Sequence, residues 1–243
     1  MRFYAIGDIH GQLAMLEAAH ERIAGDREET GDATAPVVHL GDLVDRGPDS
    51  RGVIDFLIRG IGGGAPWIAL RGNHDQLFLD VISREGDPDA ADLSWLDPRI
   101  GGRATLASFG VRTGSLRNSR AMLADARSAV PAAHRRFLET LPTFHAARDL
   151  LFVHAGIRPG VPITLQDPED LLWIREDFLL DPRDHGPLIV HGHTPCEMPE
   201  HRGNRVNLDT GAGFGRSLTV AVFEGRDCWV LRDAGRERLV PGR

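Results

Sequence analysis

Short apolar runs recur along the chain, and each of them ends in glycine or in charged residues. They lie at residues 2–8, 36–42, 66–73, 150–156 and 187–193. Short and nearly continuous apolar runs bounded by turn residues are typical of strands that are buried on both faces. The pattern therefore predicts inner strands of a sheet that is covered on both sides.

Between the first three predicted strands, the apolar residues follow a helical period instead. Residues 11–25 and 49–60 each place leucine, isoleucine or alanine on one face, as an amphipathic helix does. Alternation of strand and helix predicts right-handed β-α-β units with parallel strands.

The predicted secondary structure is mostly helical in the middle of the chain and consists of strands again at its end. Residues 75–142 read mostly as helix, with residues 131–142 the clearest case. We expect a single domain over residues 1–243, with a helical cap-like insertion at about 84–142. Further strands are predicted at residues 205–211, 217–225 and 227–233, the last two joined in a hairpin by EGRD.

Length, charge and cysteine content narrow the class of protein. The chain has 243 residues, 42% of them hydrophobic, and a net charge of −7 at pH 7. These values suit a soluble α/β domain and do not favour a nucleic-acid surface. Cys196 and Cys228 lack CxxC spacing, which indicates a reducing compartment. Since no signal peptide, bilayer-length run or coiled coil is visible, we expect a cytoplasmic protein without a membrane partner, monomeric or weakly self-associating.

Polar residues of a few types follow the predicted strands. Taken singly, an aspartate here is usually a cap and a histidine is usually packed. In an open α/β sheet, however, ligands bind beyond the carboxyl ends of the strands, so the whole set can converge. Carboxylate, imidazole and amide oxygen together suit Mn²⁺, Fe or Zn²⁺, and one carboxylate can bridge two metals. The residues are Asp8, His10, Asp42, Asp45, Arg46, Asn73, His74, Asp75, His154, His191 and His193.

Five motifs in this set, GDIHG, GDLVDRG, GNHD, HAG and HGHT, occur in order over residues 7–194. They resemble the motifs of phosphoprotein phosphatases, within the calcineurin-like metallophosphoesterases. The short chain and the GGRATLASFG stretch look most like the small bacterial and bacteriophage-lambda enzymes. The resemblance implies an α/β fold in which a central β-sandwich is flanked by helices in the layer order α/β/β/α.

The same resemblance implies a centre of two divalent metal ions, with manganese expected and iron, zinc, nickel or cobalt as alternatives. A bridging hydroxide would attack phosphorus in line. The implied ligands are Asp8 and His10 for the first metal, Asp42 as the bridge, and Asn73, His154 and His191 for the second metal. By this interpretation His193 lies behind the ligands, and His39 is a packed histidine.

The resemblance also implies the groups that handle the substrate. His74 would be the general acid, kept protonated by Asp45, and Arg46 would bind phosphate oxygens. Arg175, in LLWIRED, takes the place of a second phosphate-binding arginine. Its alternative role is a surface ion pair with a neighbouring carboxylate.

Three functional hypotheses follow. The leading one is a serine/threonine protein phosphatase acting on phosphorylated proteins or small phosphoesters. The alternative is a symmetrical diadenosine tetraphosphate hydrolase. Asp75 in GNHD fits this alternative, whereas Asp45 and Thr194 favour the phosphatase. The basic segment 117–136 could bind polyphosphate or be a solvated helix face. A metal-binding scaffold without activity should lack a ligand or the acid, and every implied residue is present.

Overall fold

Two β-sheets stacked face to face form the centre of the structure. The structure is a computed structural model that describes residues 1–83, 93–114 and 116–242. The strands are β1 (Arg2–Ile6), β2 (Val37–His39), β3 (Trp67–Ala69), β4 (Phe144–Ala147), β5 (Leu150–Val153), β6 (Leu188–His191), β7 (Glu200–His201), β8 (Arg205–Asn207), β9 (Val220–Glu224), β10 (Asp227–Arg232) and β11 (Gly235–Leu239). The first sheet has the order β11-β10-β9-β1-β2-β3, and the second has the order β4-β5-β6-β8-β7.

Helices cover the outer faces of both sheets. In the described ranges they are α1 (Leu13–Thr30), α2 (Ser50–Gly62), α3 (Asn73–Ser83), α4 (Gly102–Ser108), α5 (Ser119–Ala129), α6 (Ala132–Thr140), α7 (Pro168–Trp173) and α8 (Glu176–Leu179). None of these helices has both the length and the apolar character needed to cross a lipid bilayer.

Alternation along β1 shows how one strand serves two cores. Phe3 and Ala5 point into the sandwich, where they join Phe152 of the second sheet. Tyr4 and Ile6 point the other way, into the core between the first sheet and its helices. A third apolar cluster lies between the second sheet and α7 and α8. The layers are therefore α/β/β/α, and the predicted fold is confirmed.

Parallel pairing joins β1 to β2 and β2 to β3, as the strand-helix alternation predicts. The strands are shorter than the apolar runs that predict them. β2 ends at His39, although the run continues to residue 42, because Gly41 and Asp42 take left-handed backbone angles (φ 97° and 48°) that no ladder accommodates. The chain turns at this point toward the edge of the sandwich.

The predicted cap insertion, about 84–142, lies partly outside the described residues. Its described part is helical, and α4, α5 and α6 pack against α2 and α3. Three strands lack the pattern that predicts the others. β4, β7 and β11 lie at sheet edges or are very short, so their sequences FHAA, EH and GRERL carry little apolar signal.

Candidate active site

Loops from both sheets meet at one edge of the sandwich. The amides of Ile9 and His10 donate to the carbonyl of Asp42 at 3.1 and 2.7 Å, which joins the loops that follow β1 and β2. From the second sheet, the amide of His193 donates to Asp8 Oδ2 at 3.0 Å. The carboxyl ends of the inner strands therefore converge, as the sequence predicts.

Backbone conformation in these loops is unusual. Among the described residues, five non-glycine residues have positive φ, between 47° and 73°: His10, Asp42, Asp45, Arg46 and His193. Left-handed angles are uncommon for residues with a side chain. All five lie in the candidate site, where the tight turns bring their side chains together.

Asp42 lies at the centre of the site. Its carboxylate belongs to two groups of possible metal ligands, one with His10 and His74 and the other with His154 and His193. Asp42 Oδ2 is 3.5 Å from His10 Nε2, and Oδ1 is 3.4 Å from His154 Nε2. Burial alone would raise the pKa of Asp42, but the surrounding histidines, His154 foremost, hold it below its ordinary value.

His154 and Asn73 show the character of the second group. His154 donates Nδ1–H to the carbonyl of Leu40 at 2.9 Å, so in the neutral ring Nε2 is unprotonated. That nitrogen faces Asn73 Oδ1 at 2.9 Å and, farther away, Asp42 Oδ1. Acceptors that face one another without a proton between them are the arrangement that a cation stabilises.

Asp8 and His10 lie on the other side of Asp42. Asp8 Oδ1 is buried without a hydrogen-bond partner, and so is His193 Nε2 on the side of the second group. Burial, followed by the charges of Asp209 and Asp42, raises the pKa of Asp8. Burial lowers the pKa of His10 to about 3, so its imidazole is neutral at pH 7 and its nitrogen is available as a ligand.

Close packing leaves no space for larger residues around these carboxylates. A Cβ atom on Gly192 would lie 1.9 Å from Asp8 Oδ1, and one on Gly72 would lie 2.2 Å from Asp42 Oδ1. Only glycine permits this approach of backbone to carboxylate. Orphaned buried acceptors, neutral imidazoles and a shared carboxylate fit a pair of divalent metal ions.

His191 is not among the residues that the structure brings together. It is the last residue of β6, and its side chain points to the helix side of the second sheet, against Phe178 and Arg205. The chain then reverses at Gly192 and at His193, whose backbone has a left-handed conformation. As a result, His193 Nδ1 lies 2.9 Å from Asn73 Oδ1. Strand alternation turns His191 away from the site, so the residue that the structure brings to the other expected ligands is His193.

Asp209 also lies at the site, although it belongs to none of the five motifs. It follows β8, is buried, and its charge acts on Asp8. The sequence does contain one indication of this position. The apolar run VNLDTG ends in aspartate and glycine, and the runs that end at Asp8 and Asp42 also combine these two residue types.

His74 and Asp45 form a buried pair next to Asp42. His74 Nδ1 is 2.7 Å from Asp45 Oδ2, and His74 Nε2 is 4.0 Å from Asp42 Oδ2. Burial lowers the pKa of His74, but the charges of Asp42 and Asp45 more than offset this and raise it. The imidazole is thus held by one carboxylate and turns its other nitrogen toward the centre of the site.

Two arginines border the same space. The Arg46 guanidinium contacts Nε2 of His10 and lies 3.0 Å from Nε2 of His74. Arg175 is exposed and lies 3.4 Å from Thr194 Oγ1, next to His193. Arg46 therefore lies beside His10 and His74, and Arg175 lies on the side of His193.

Two exposed aromatic rings flank these arginines. Phe214, 58% exposed, covers the guanidinium of Arg46 at 4.6 Å from the ring centroid. Trp173, 40% exposed, contacts the His193 ring edge to face. Both rings are open to solvent at the border of the site.

Comparison with known proteins agrees with this geometry. The calcineurin-like phosphoesterase model matches residues 1–215. The asymmetrical bis(5'-nucleosyl)-tetraphosphatase PrpE of Halalkalibacterium halodurans is 26% identical, over 92% of this chain and 90% of its own. Serine/threonine-protein phosphatase 1 of Salmonella typhimurium is 27% identical, over 91% of each chain.

Solved structures share the fold. A cold-active protein-tyrosine phosphatase of a psychrophilic Shewanella species superimposes with a TM-score of 0.58 at 16% identity, over 98% of this chain and 80% of that one. At this identity the likeness concerns the fold. Together with the family match and the ligand groups around Asp42, it completes the identification: the chain belongs to the calcineurin-like phosphoesterase family and is a metallophosphoesterase.

Proposed function

We propose that the chain is a serine/threonine protein phosphatase that hydrolyses phosphomonoesters directly, without a phosphoenzyme. The observation that supports this is the buried His74–Asp45 pair beside Asp42. A serine or threonine alkoxide is a poor leaving group and needs a proton as the ester bond breaks. A nucleotide leaving from a phosphoanhydride has a much lower proton affinity and gains less from an acid.

The geometry around Asp42 supports a set of candidate metal ligands. Asp8, His10 and Asp42 would hold the first metal ion. Asp42, Asn73, His154 and His193 would hold the second, with His193 in place of His191. Two divalent ions, with manganese expected, would supply an acidified water and neutralise charge on the phosphoryl group.

The chain's own residues do the remaining work. Arg46 and Arg175 would bind phosphoryl oxygens, for which the planar guanidinium is well suited. His74 would deliver the proton on Nε2 to the departing oxygen. Asp45 would keep Nδ1 protonated and the ring oriented, and its charge stabilises the imidazolium form that donates.

A dinucleoside polyphosphatase is the second candidate. The rings of Phe214 and Trp173 offer surfaces on which a nucleobase could stack, and several relatives carry this activity in their names. The basic segment 117–136 gives it little support. Arg117 pairs with Asp125 inside the insertion, and Arg127 donates to the carbonyl of Val81 in α3 at 3.1 Å, so both side chains have structural partners.

A comparison of two substrates separates the candidates. Metal-stripped protein reconstituted with Mn²⁺ would be offered a phosphoserine peptide and diadenosine tetraphosphate, and release of phosphate and nucleotide would be followed. Phosphate from the peptide, with the dinucleotide barely cleaved, is the expected result. Faster nucleotide release would contradict it, and the products would then identify the cut: ADP alone for symmetrical cleavage, ATP with AMP for asymmetrical cleavage.

The role of His74 has its own test. His74→Asn should reduce kcat on the phosphoserine peptide by roughly 10²–10³-fold, in the range of a lost general acid. An activated aryl phosphate, whose leaving group needs no proton, should lose far less. Equal losses on both substrates would rule out the acid role.

A further inference from the structure

The GGRATLASFG stretch has no part in the chemistry described so far, yet it packs directly against Asp45 and Arg46. The carbonyl of Gly101 accepts the amide of Arg46 at 3.3 Å, and a Cβ on Gly101 would lie 2.5 Å from that amide nitrogen. A Cβ on Gly102 would lie 2.4 Å from the ring of Trp95. The two glycines therefore permit close contact between the insertion and the turn that carries Asp45.

Both oxygens of the Asp45 carboxylate accept hydrogen bonds from the insertion. Thr105 Oγ1 donates to Oδ1 at 2.7 Å, and Trp95 Nε1 donates to Oδ2 at 2.9 Å. His74 Nδ1 occupies the remaining position on Oδ2 at 2.7 Å. Asp45 is fully buried, so these donors replace water around its carboxylate.

Proton counting fixes the direction of each bond. Thr105 has one hydroxyl proton, and it goes to Asp45 Oδ1, which can only accept. The oxygen of Thr105 also accepts the amide of Asp45 at 2.8 Å. Ser50 Oγ, 3.0 Å from Thr105 Oγ1, must therefore donate to it. Thr105 thus holds both the backbone and the side chain of Asp45, from 60 residues away in the sequence.

We propose that Trp95 and Thr105 are positioning residues for the general acid. The helical insertion supplies two donors that fix the Asp45 carboxylate, and the carboxylate in turn orients His74 toward the leaving oxygen. This inference rests on the proposed function, because it takes His74 to be the acid. Neither residue touches the substrate, so each acts through Asp45.

The test uses the Mn²⁺-loaded full chain and two phosphomonoesters. Thr105→Val removes the hydroxyl at constant shape, and Trp95→Phe removes the N–H. Each should lower kcat on a phosphoserine peptide by about tenfold, the effect of one hydrogen bond to a charged group. Turnover of 4-nitrophenyl phosphate should stay within about twofold, and KM should not change, since proton delivery is the only step affected.

Two further variants separate positioning from general damage. Thr105→Ser keeps the donor and should restore alkyl-phosphate turnover. Ser108→Ala is a matched control: it lies one turn along α4 and donates to the carbonyl of Thr105 at 2.7 Å, without contact to Asp45. It should leave the ratio of the two substrates unchanged.

A spectroscopic measurement does not depend on turnover. In metal-free protein labelled with ¹⁵N-histidine, the Nδ1 proton of His74 should shift in Thr105→Val and not in Ser108→Ala.

The outcomes are distinct. Equal losses on both substrates, or full alkyl-phosphate turnover in Thr105→Val and Trp95→Phe, would overturn the positioning role and leave the proposed function intact. Absence of phosphomonoester turnover in the wild type would overturn both.

Discussion

A histidine binds a metal only through a ring nitrogen without a proton. In two histidines of the site, a backbone carbonyl determines which ring nitrogen carries the proton. Val44 accepts Nδ1–H of His10, and Leu40 accepts Nδ1–H of His154, both at 2.9 Å. In each neutral ring Nε2 is left unprotonated and faces Asp42. The tautomers are therefore set by the fold, so a metal ion bound here would meet nitrogens that are already oriented.

His191 and His193 give a direct test of the ligand assignment. His193→Ala should weaken Mn²⁺ binding by at least about a hundredfold, beyond the effect of losing a group that only supports a ligand. His191→Ala should change the affinity by less than about threefold, because its ring lies against Phe178 outside the site. Titration calorimetry of metal-stripped protein measures both. The reverse order of affinities would restore the assignment drawn from the sequence.

At the scale of elements, the start of α3 holds two catalytic loops together. Asp75, in the first turn of α3, accepts the amide of Gly72 through Oδ2 and the amide of Leu43 through Oδ1, both at 2.9 Å. The first bond is half of a capping box, and the second ties the helix to the turn after β2. Burial and the charge of Asp42 raise the pKa of Asp75 to about 8, although both amides favour the anion. The aspartate of GNHD thus has a structural reason that is independent of the substrate.

Above pH 8, where Asp75 is ionised and accepts both amides, Asp75→Asn should destabilise the protein by roughly 1–3 kcal/mol, because its NH₂ group would face a buried amide donor. Thermal unfolding of metal-free protein would show a lower Tm, by several degrees for a chain of this size. Asp80→Asn is a suitable control, since Asp80 is partly exposed and accepts from Gln76 within the same helix. An unchanged Tm for Asp75→Asn would show that the two bonds contribute little.

At the scale of the whole molecule, a second histidine cluster bears on stability. His20 of α1 and His39 of β2 meet through their Nε2 atoms at 3.0 Å and pack against Trp67. His39 donates Nδ1–H to the carbonyl of Ile68, so its Nε2 can only accept. Burial lowers the pKa of His20 to about 3 and that of His39 to about 4. Protonation of His39 would remove the acceptor of this bond, and burial disfavours a charge on either ring.

This cluster predicts a loss of stability in acid. The folded pKa values lie below the ordinary value of 6.5, so the unfolded chain binds more protons between about pH 4 and 6.5. The free energy of unfolding should therefore fall as the pH is lowered through this range. His20→Gln keeps a side-chain donor and should reduce the slope by ~1.4 kcal/mol per pH unit, the value for one proton. Urea unfolding of metal-free protein at several pH values measures both slopes, and parallel slopes would contradict the prediction.

Sequence patterns predicted the inner strands and the residues at their ends, because both depend on local order. His39, which the sequence predicts to be a packed histidine, is fully buried. The structure places His193, and not His191, beside Asn73. This difference depends on the residue at which β6 ends, and element boundaries are weakly encoded in a sequence. Trp95 and Thr105 could not be found, since their partner Asp45 lies 50 and 60 residues away. Contacts between an insertion and a distant turn follow from packing, which local periodicity does not describe.

The five left-handed residues of the site have a consequence for mutational tolerance. Each left-handed residue with a side chain costs of order 1–2 kcal/mol relative to an ordinary backbone, whereas glycine adopts these angles freely. In a library of variants selected only for folding, glycine should be enriched at positions 10, 42, 45, 46 and 193. Selection for turnover should remove glycine at the same five positions. The positions at which glycine is enriched by selection for folding and depleted by selection for turnover would therefore identify the site.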